Sequence, residues 1–544
     1  MAATDHSESE PLNSEQLNFT YGSAQDHESH TPKHAPSLLR TLLPCMALWC
    51  ITFISSLDTT IVAMLLGNIS SYFKAAEKSS WLGSTYLLSV CCTAPLYGRL
   101  CDTFGHKRSL ILAVSIFLVG TFWCGASRSM NELLLARTFA GIGGGGLSTI
   151  TSVIMSSLVP LRSRGLFQGM TNIMYGLGGA TGGPLGGILL DIVGWRGCFF
   201  IQIPALAIAL TLIFTLIERD EAAHFAPDEN TWTRIKSVDF LGLISYAMIH
   251  ISALVALDLI STRMMAVTSG PVLGCMATAL LCLVLFMYFE CRAKLPLISF
   301  EVLSLRTAWS SLWGCLFLTM AYTAFNFNFP LYFQVVGQMA PSDLGIRMIP
   351  AGVTIGFSSI MAGLYIRKHG RYYKCCLLFI CIACLTCIPL TTYRTNPPTV
   401  SPFILNIFMT MGQSWYLVCS LIALIHTVRP NQIGVATGMS YLFRSAGQVM
   451  GVVIPGGIFQ VNLLRQLQSR ILGPGSDDLI SQLRHDSTLI PQLPTELQNE
   501  ALASYGDALH LVFIFVNLCY VACIAFFIFV EDVSLEEHPN DRDE

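Results

Sequence analysis

Residues 176–187 read GLGGATGGPLGG, seven glycines and a proline in twelve positions, and the apolar sequence on either side continues as one helix. In water each interior Gly weakens a helix by about 1 kcal/mol relative to Ala, and an interior Pro by about 3 kcal/mol. The segment is therefore a poor helix for a soluble domain. In lipid no water competes for the backbone hydrogen bonds, and small residues let neighbouring helices approach closely. Gly178, Gly182 and Gly186 form one i,i+4 row, and Gly179, Gly183 and Gly187 the adjacent one. Pro184 removes one donor and frees the Ala180 carbonyl, which permits a bend.

The rest of the chain agrees with a bilayer as solvent. Of 544 residues, 53% are hydrophobic and 12% charged, against about 25% charged in an ordinary soluble domain. The mean hydropathy is +0.58. A net charge of −3 gives no reason to expect a nucleic-acid partner. Windows of about 20 apolar residues predict fourteen membrane spans. Of the 31 Lys and Arg, 19 fall on one side, 9 on the other, and Arg137, Arg347 and Arg444 within spans. The positive excess puts both termini in the cytosol.

The expected fold class is an all-α polytopic membrane protein with 6+2+6 helices. Residues 1–40 read as a disordered cytosolic tail without a cleavable signal peptide. Residues 41–217 form a first six-helix bundle, 218–239 a cytosolic linker, and 240–290 two inserted helices. Residues 291–530 form a second six-helix bundle, and 531–544 a cytosolic tail. The second bundle carries a non-cytosolic loop, 461–507, in which SDDLISQLRH reads as a surface helix.

Several other functions find no support. Cys381, Cys384 and Cys387 have iron–sulfur spacing, but they sit in an apolar helix without a fourth ligand. The run from Gly141 to Gly146 satisfies GxGxxG without the preceding strand that a dinucleotide fold needs. No Walker A motif and no hydrolytic or redox constellation occurs, so neither an enzyme nor a cofactor is expected, and no metal.

Two loops echo one another. GRLCDTFGHKR begins at Gly98 and GLYIRKHGRYY at Gly363, each with a second glycine seven residues on, Gly105 and Gly370. Internal repeats are a common way to build transporters. The first loop resembles the loop motif of the major facilitator superfamily, carried by Gly98, Leu100, Asp102, Gly105, Lys107 and Arg108. Thr103 and His106 stand where the family usually has basic residues. SLDTTIVAMLLGNI resembles the first-helix signature of its fourteen-helix drug:proton antiporter branch. LLLARTFAGIGGGG resembles the fourth-helix motif, with Ala140 in place of Gln, and the 176–187 stretch the antiporter motif of helix 5. PLRSRGLFQG and TGMSYLFRSAGQVMG resemble a fungal subgroup that includes vacuolar basic amino-acid transporters.

The resemblance implies a major facilitator fold with pseudo-twofold halves, and roles for individual residues. Gly179, Gly183, Pro184 and Gly187 would form a pivot between helix 5 and the opposite half, against the plainer reading of tight packing. Gly98, Asp102, Gly105, Lys107 and Arg108 would gate the cytosolic end, Asp102 by meeting a helix N-terminus. Charges in hydrocarbon usually pair or face a cavity. Asp58 and Arg137 are thus either a structural ion pair or, as the resemblance implies, a proton-coupling site.

Asn326 and Asn328 lie about 200° apart on a regular helix, so both reach a cavity only if Pro330 unwinds it locally. Asn172 and Tyr175 would complete a substrate site; helix-to-helix hydrogen bonding is the alternative for the asparagines. Asn68 opens a glycosylation sequon on the non-cytosolic side, close to the membrane.

The function expected is a proton-coupled antiporter, working as a monomer in the lipid bilayer and removing a small organic solute from the cytosol. Basic amino acids moved into the vacuole lead. Multidrug, toxin or secondary-metabolite efflux at the plasma membrane is the alternative, and a non-transporting membrane sensor the reading from a different class.

Overall fold

A computed structural model describes residues 38–533 except 75–78, 160, 218–238, 262, 264, 294–295, 340, 393–400, 430–431, 473–475 and 486. Most of the expected tails and of the expected linker lie outside the described residues, and the end of the first expected tail, from Leu38, already belongs to α1. Fourteen long helices run through what is described, and no strand occurs there. The first six are α1 (Leu38–Tyr72), α2 (Ser79–Phe104), α3 (His106–Ala126), α4 (Met130–Leu158), α5 (Leu161–Phe200) and α6 (Gln202–Leu216). Next come α7 (Phe240–Ser261) and α8 (Gly270–Arg292). The last six are α9 (Arg306–Val335), α10 (Pro341–His369), α11 (Tyr373–Thr392), α12 (Ser401–Thr427), α13 (Ile433–Arg470) and α14 (Thr495–Phe527).

Hydropathy and length mark eleven described stretches as able to cross a membrane. The two counts differ for a physical reason. Residues 185–216 score once although Gly194, at φ 71°, kinks the last part of α5 and α6 begins only at Gln202. Helices α2 and α9 fall below threshold because Ser, Thr, Tyr and Gly dilute them. Both are interior helices, where such residues meet protein rather than lipid.

The apolar cores follow the repeat. One pair of clusters, around Phe117 and Ile150 and around Ile61 and Phe199, binds α1–α6. A larger one, around Phe329, Tyr416 and Phe513, binds α9–α14. The inserted pair packs on the second half through Tyr246 and Phe286 against Leu312, Met439 and Phe443. Helix α8 turns a row of large apolar side chains outward, among them Leu273, Leu280 and Val284, as a lipid-facing helix should.

Local sequence fixes the helix ends. At the start of α4, the Ser129 hydroxyl accepts the Glu132 amide at 3.2 Å, and the Glu132 carboxylate accepts the Arg128 amide at 2.8 Å. This reciprocal arrangement is a capping box shifted by one residue. The α2–α3 turn uses Gly105 at φ 84°, and the α10–α11 turn uses Gly370 at φ 66°. Both are backbone positions that side chains disfavour, so the sequence echo is a repeated turn.

The expected loop 461–507 is mostly helical. Helix α13 continues to Arg470 because Leu463 and Leu467 stay buried, and α14 begins at Thr495. Between them, Ser476–His485 forms the short helix expected there, seated by buried Ile480 and Leu483. The Tyr505 hydroxyl donates to the Leu483 carbonyl at 2.6 Å.

Candidate functional site: a cavity between the halves

The two halves touch chiefly through four helices that cross in pairs, α5 with α10 and α2 with α13. A methyl group built on Gly98 of α2 would lie 2.8 Å from the Gly438 Cα of α13. The repeat-related Gly363 of α10 meets the backbone of Gly165 on α5 as closely. Further along α5, a methyl on Gly169 would lie 2.8 Å from the Ser359 carbonyl oxygen, and one on Gly176 3.2 Å from that of Gly352. A methyl on Gly352 would find its nearest neighbour, the Ala180 Cβ, at 4.0 Å, and one on Gly183 would meet nothing within 4 Å. Thus α5 and α10 are sealed at the end that carries Gly105 and Gly370, and splay apart toward the other.

Beside this wedge, between the first half and α13, lies a cavity of about 160 Å³. Its wall from the first half includes Thr52, Ser55 and Thr59 on α1, Tyr86 and Cys91 on α2, and Ser148 and Ser152 on α4. Gln168, Thr171, Asn172 and Tyr175 come from α5, and Tyr441, Arg444, Ser445 and Gln448 from α13. Tyr175 is 50% exposed and turns that surface toward the cavity. Cross-half hydrogen bonds brace it: Asn172 Nδ2 donates to Ser359 Oγ at 3.0 Å, and the Ser152 and Tyr441 hydroxyls lie 2.8 Å apart.

One side chain deeper, Arg137 Nη1 donates to Asp58 Oδ2 at 2.6 Å, with both residues at most 1% exposed. The guanidinium carbon lies 4.2 Å from the centroid of the Tyr86 ring, a cation–π contact. Tyr86 also faces the cavity. A single aromatic ring therefore separates the buried ion pair from the space a solute would occupy. The glycine run 143–146 on α4 makes this possible: a methyl on Gly144 would lie 2.6 Å from the Tyr86 hydroxyl oxygen, and one on Gly146 2.6 Å from the Ala113 Cβ.

The expected site residues divide. Asp58 meets Arg137, and Asn172 and Tyr175 share the cavity. Asn326 and Asn328 stay apart from its lining. Each donates instead to the carbonyl four residues back, Tyr322 at 3.0 Å and Ala324 at 2.8 Å. Pro330 does not unwind α9, which is continuous to Val335. Phe325, Phe329 and Phe333 stack in an i,i+4 ladder with centroids 4.5 and 4.8 Å apart, and that ladder needs a regular helix.

The glycine rows of α5 also behave differently from the expected pivot. A methyl on Gly178 would strike α1 at the Phe53 carbonyl, and one on Gly182 would strike Thr60 and the Leu57 carbonyl, so these belong to packing within the first half. A methyl on Gly179 would lie 3.3 Å from Ser56 Oγ, and one on Gly187 would touch only the Met64 methyl, at 3.9 Å. Contact with the opposite half comes earlier on α5, at Gly165, Gly169 and Gly176. Pro184 lies within α5.

In the α2–α3 loop region, Lys107 Nζ donates to the Phe214 carbonyl at the C-terminal end of α6 at 2.7 Å, where a cation is favoured. Arg108 is exposed, and Asp102 lies in the last turn of α2. Asn68 is an exposed position of α1, still helical, one turn before its end.

Sequence reading did not assign Arg444, Tyr441, Gln448 or Tyr86, nor the partner glycines Gly165 and Gly438. A signal existed for Arg444, since a charge inside a span marks a functional position by default.

The geometry agrees with comparisons to known proteins. Residues 48–452 match the family model described as Major Facilitator Superfamily. The chain is 34% identical to "Multidrug resistance protein fnx1" of Schizosaccharomyces pombe, over 89% of this chain and 90% of that protein. It is 29% identical to "Vacuolar membrane amino acid uptake transporter fnx2" of the same yeast, over 91% of this chain and 84% of that one. It is 26% identical to "Vacuolar basic amino acid transporter 1" of Saccharomyces cerevisiae, over 85% and 87%. Among solved structures, the proton:xylose symporter XylE aligns with a TM-score of 0.57 at 14% identity, over 91% of this chain and 98% of that one, a likeness of fold. The chain belongs to the major facilitator superfamily, and is a multi-pass membrane transporter rather than an enzyme.

Proposed function

We propose that this transporter is a proton-coupled antiporter carrying a small organic solute out of the cytosol, with basic amino acids moved into the vacuole as the leading case. The observation that carries the reading is the Asp58–Arg137 pair, one ring behind a cavity that lies between the two halves. The positive-charge excess assigns the Gly105/Gly370 end to the cytosol. The wedge is then open toward the non-cytosolic side, the state that releases solute and admits a proton.

In this scheme the proton reaches Asp58 from the cavity and displaces Arg137 from it. Loss of the ion pair lowers the preference for the present packing of α1 against α4, and the halves rock until the cytosolic end opens. Release of the proton there and binding of solute return the cycle. A ligand shifts such an equilibrium only by its differential affinity for the two states. The proton supplies that difference at Asp58, and the solute supplies it in the cavity.

Two relatives named for vacuolar amino-acid transport support the compartment and the solute class. The relative named for multidrug resistance supports the second reading, efflux of toxic organics or secondary metabolites at the plasma membrane. The test is uptake by purified protein in liposomes under an imposed pH gradient, with amino acids and toxic organics compared. Accumulation of an amino acid that collapses with the gradient supports the first reading. Gradient-independent equilibration would overturn proton coupling.

A further inference from the structure

Three arginines lie within the sequence-predicted spans, and two have carboxylate partners. Arg137 meets Asp58, and Arg347 meets Asp343 at 3.1 Å. Arg444 faces the cavity, and among the described residues no carboxylate forms an ion pair with it. No Asp or Glu lines the cavity, and neither does Lys or His. The site is thus a polar chamber with one fixed positive charge. A membrane charge without a carboxylate partner usually faces a cavity, and Arg444, its guanidinium carbon 5.6 Å from the centroid of the Tyr441 ring, faces one that an anion can enter.

We propose that Arg444 is the anion-binding residue of the transport site and that the solute carried bears a carboxylate. This rests on reading the cavity as the place where solute binds during transport. A guanidinium presents donors in a planar fork that matches the two oxygens of a carboxylate. The side-chain amides of Gln448, one turn along the same helix, and of Gln168 on α5 also line the cavity and can donate to the remaining lone pairs. The Arg444 carbonyl accepts the Thr319 hydroxyl at 3.2 Å, which ties this segment of α13 to α9. A carboxylate on Arg444 therefore draws the second half toward the first, where Tyr86 and Asn172 wait. At about 10–15 Å³ per water, the cavity of about 160 Å³ has room for roughly 11–16 waters, or for a solute of amino-acid size. A basic side chain would meet aromatic faces and amides here but no acid. The carboxylate, not the basic group, is then the recognised feature.

The test compares solutes that differ by one carboxylate: arginine with agmatine, lysine with cadaverine, and phenylalanine with phenethylamine. Equilibrium binding is measured on the purified full chain in lipid nanodiscs, and uptake on the same protein in liposomes. At least one acid should bind ten times more tightly than its decarboxylated twin in the wild type. Arg444→Gln should erase that difference by weakening the acid, and Arg444→Lys, which keeps the charge and loses the fork, should restore only part of it. Equal binding of acid and amine overturns the proposal, as does failure of every acid to bind or wild-type affinity in Arg444→Gln. The wild-type comparison stands even where the variants fold poorly. Acids that bind through Arg444 but never cross the bilayer would overturn the transport reading and leave the anion site in place.

Discussion

Gly98 and Gly438 meet backbone to backbone: a methyl on either would lie within 3.2 Å of the other's Cα. Their counterparts on the second helix of the second half and the fifth helix of the first, Gly363 and Gly165, meet in the same way. Each half therefore contributes the leading glycine of its repeated loop to one crossing. Both crossings at that end are contacts of glycine backbone. The seal is steric, and side-chain volume should break it.

Gly98→Leu should open that end. Forcing extra methylenes into a packed contact costs about 1–3 kcal/mol, enough to shift an equilibrium between two states by roughly 5- to 150-fold. Spin labels on the α2–α3 turn and at the start of α13 should move apart in the variant, and transport should fall at least tenfold. Unchanged label distances with wild-type transport would show that the crossing does not gate.

Gly183 and Gly178 sit on the same helix and should respond oppositely to Leu. Gly178 abuts the Phe53 carbonyl of α1, so Gly178→Leu should lower folding yield and thermal stability. Gly183 has open space in the present state. Gly183→Leu should leave melting behaviour close to wild type and still stop transport, because α5 and α10 can no longer close over the cavity. Melting curves and uptake on the two variants separate the cases; a destabilised Gly183→Leu contradicts the wedge.

The helices and the ion pair were legible in the sequence because each depends on one solvent. A long apolar run has one stable form in lipid, and two opposite charges in hydrocarbon seek each other. Helix partners were not legible in the same way. The rows on α5 announce close packing, but the choice between α1 and α10 is made by helices far away in sequence. The same holds for Arg444. Its charge is visible in the chain, whereas the absence of a carboxylate around it is a property of the assembled cavity.

Asn326 and Asn328 give a check on that limit. Their amides bond to their own helix and do not reach the cavity lining. Alanine at either position should change solute affinity by less than about twofold, with stability loss of about 1 kcal/mol at most from the hydrogen bond. Asn172→Ala should cost more, because Asn172 lines the cavity and bridges to Ser359 across the halves. Binding titrations on the three variants check the order.

Asp58→Asn should abolish pH-driven accumulation. Asparagine keeps the size of the side chain but cannot gain and lose a proton, so proton occupancy no longer selects between states. The change also leaves Arg137 buried without its charge partner, and breaking one member of a buried pair costs about 3–5 kcal/mol. Lower folding yield is therefore expected alongside the loss of function, and membrane levels must be measured with uptake. Arg137→Gln on top of Asp58→Asn removes the orphaned charge and should recover yield. Recovered yield with flat pH dependence is the outcome expected of a coupling site, since the neutral pair folds but has nothing to titrate. Recovered yield together with concentrative, pH-dependent uptake would mean that the pair is structural and the proton travels through another residue.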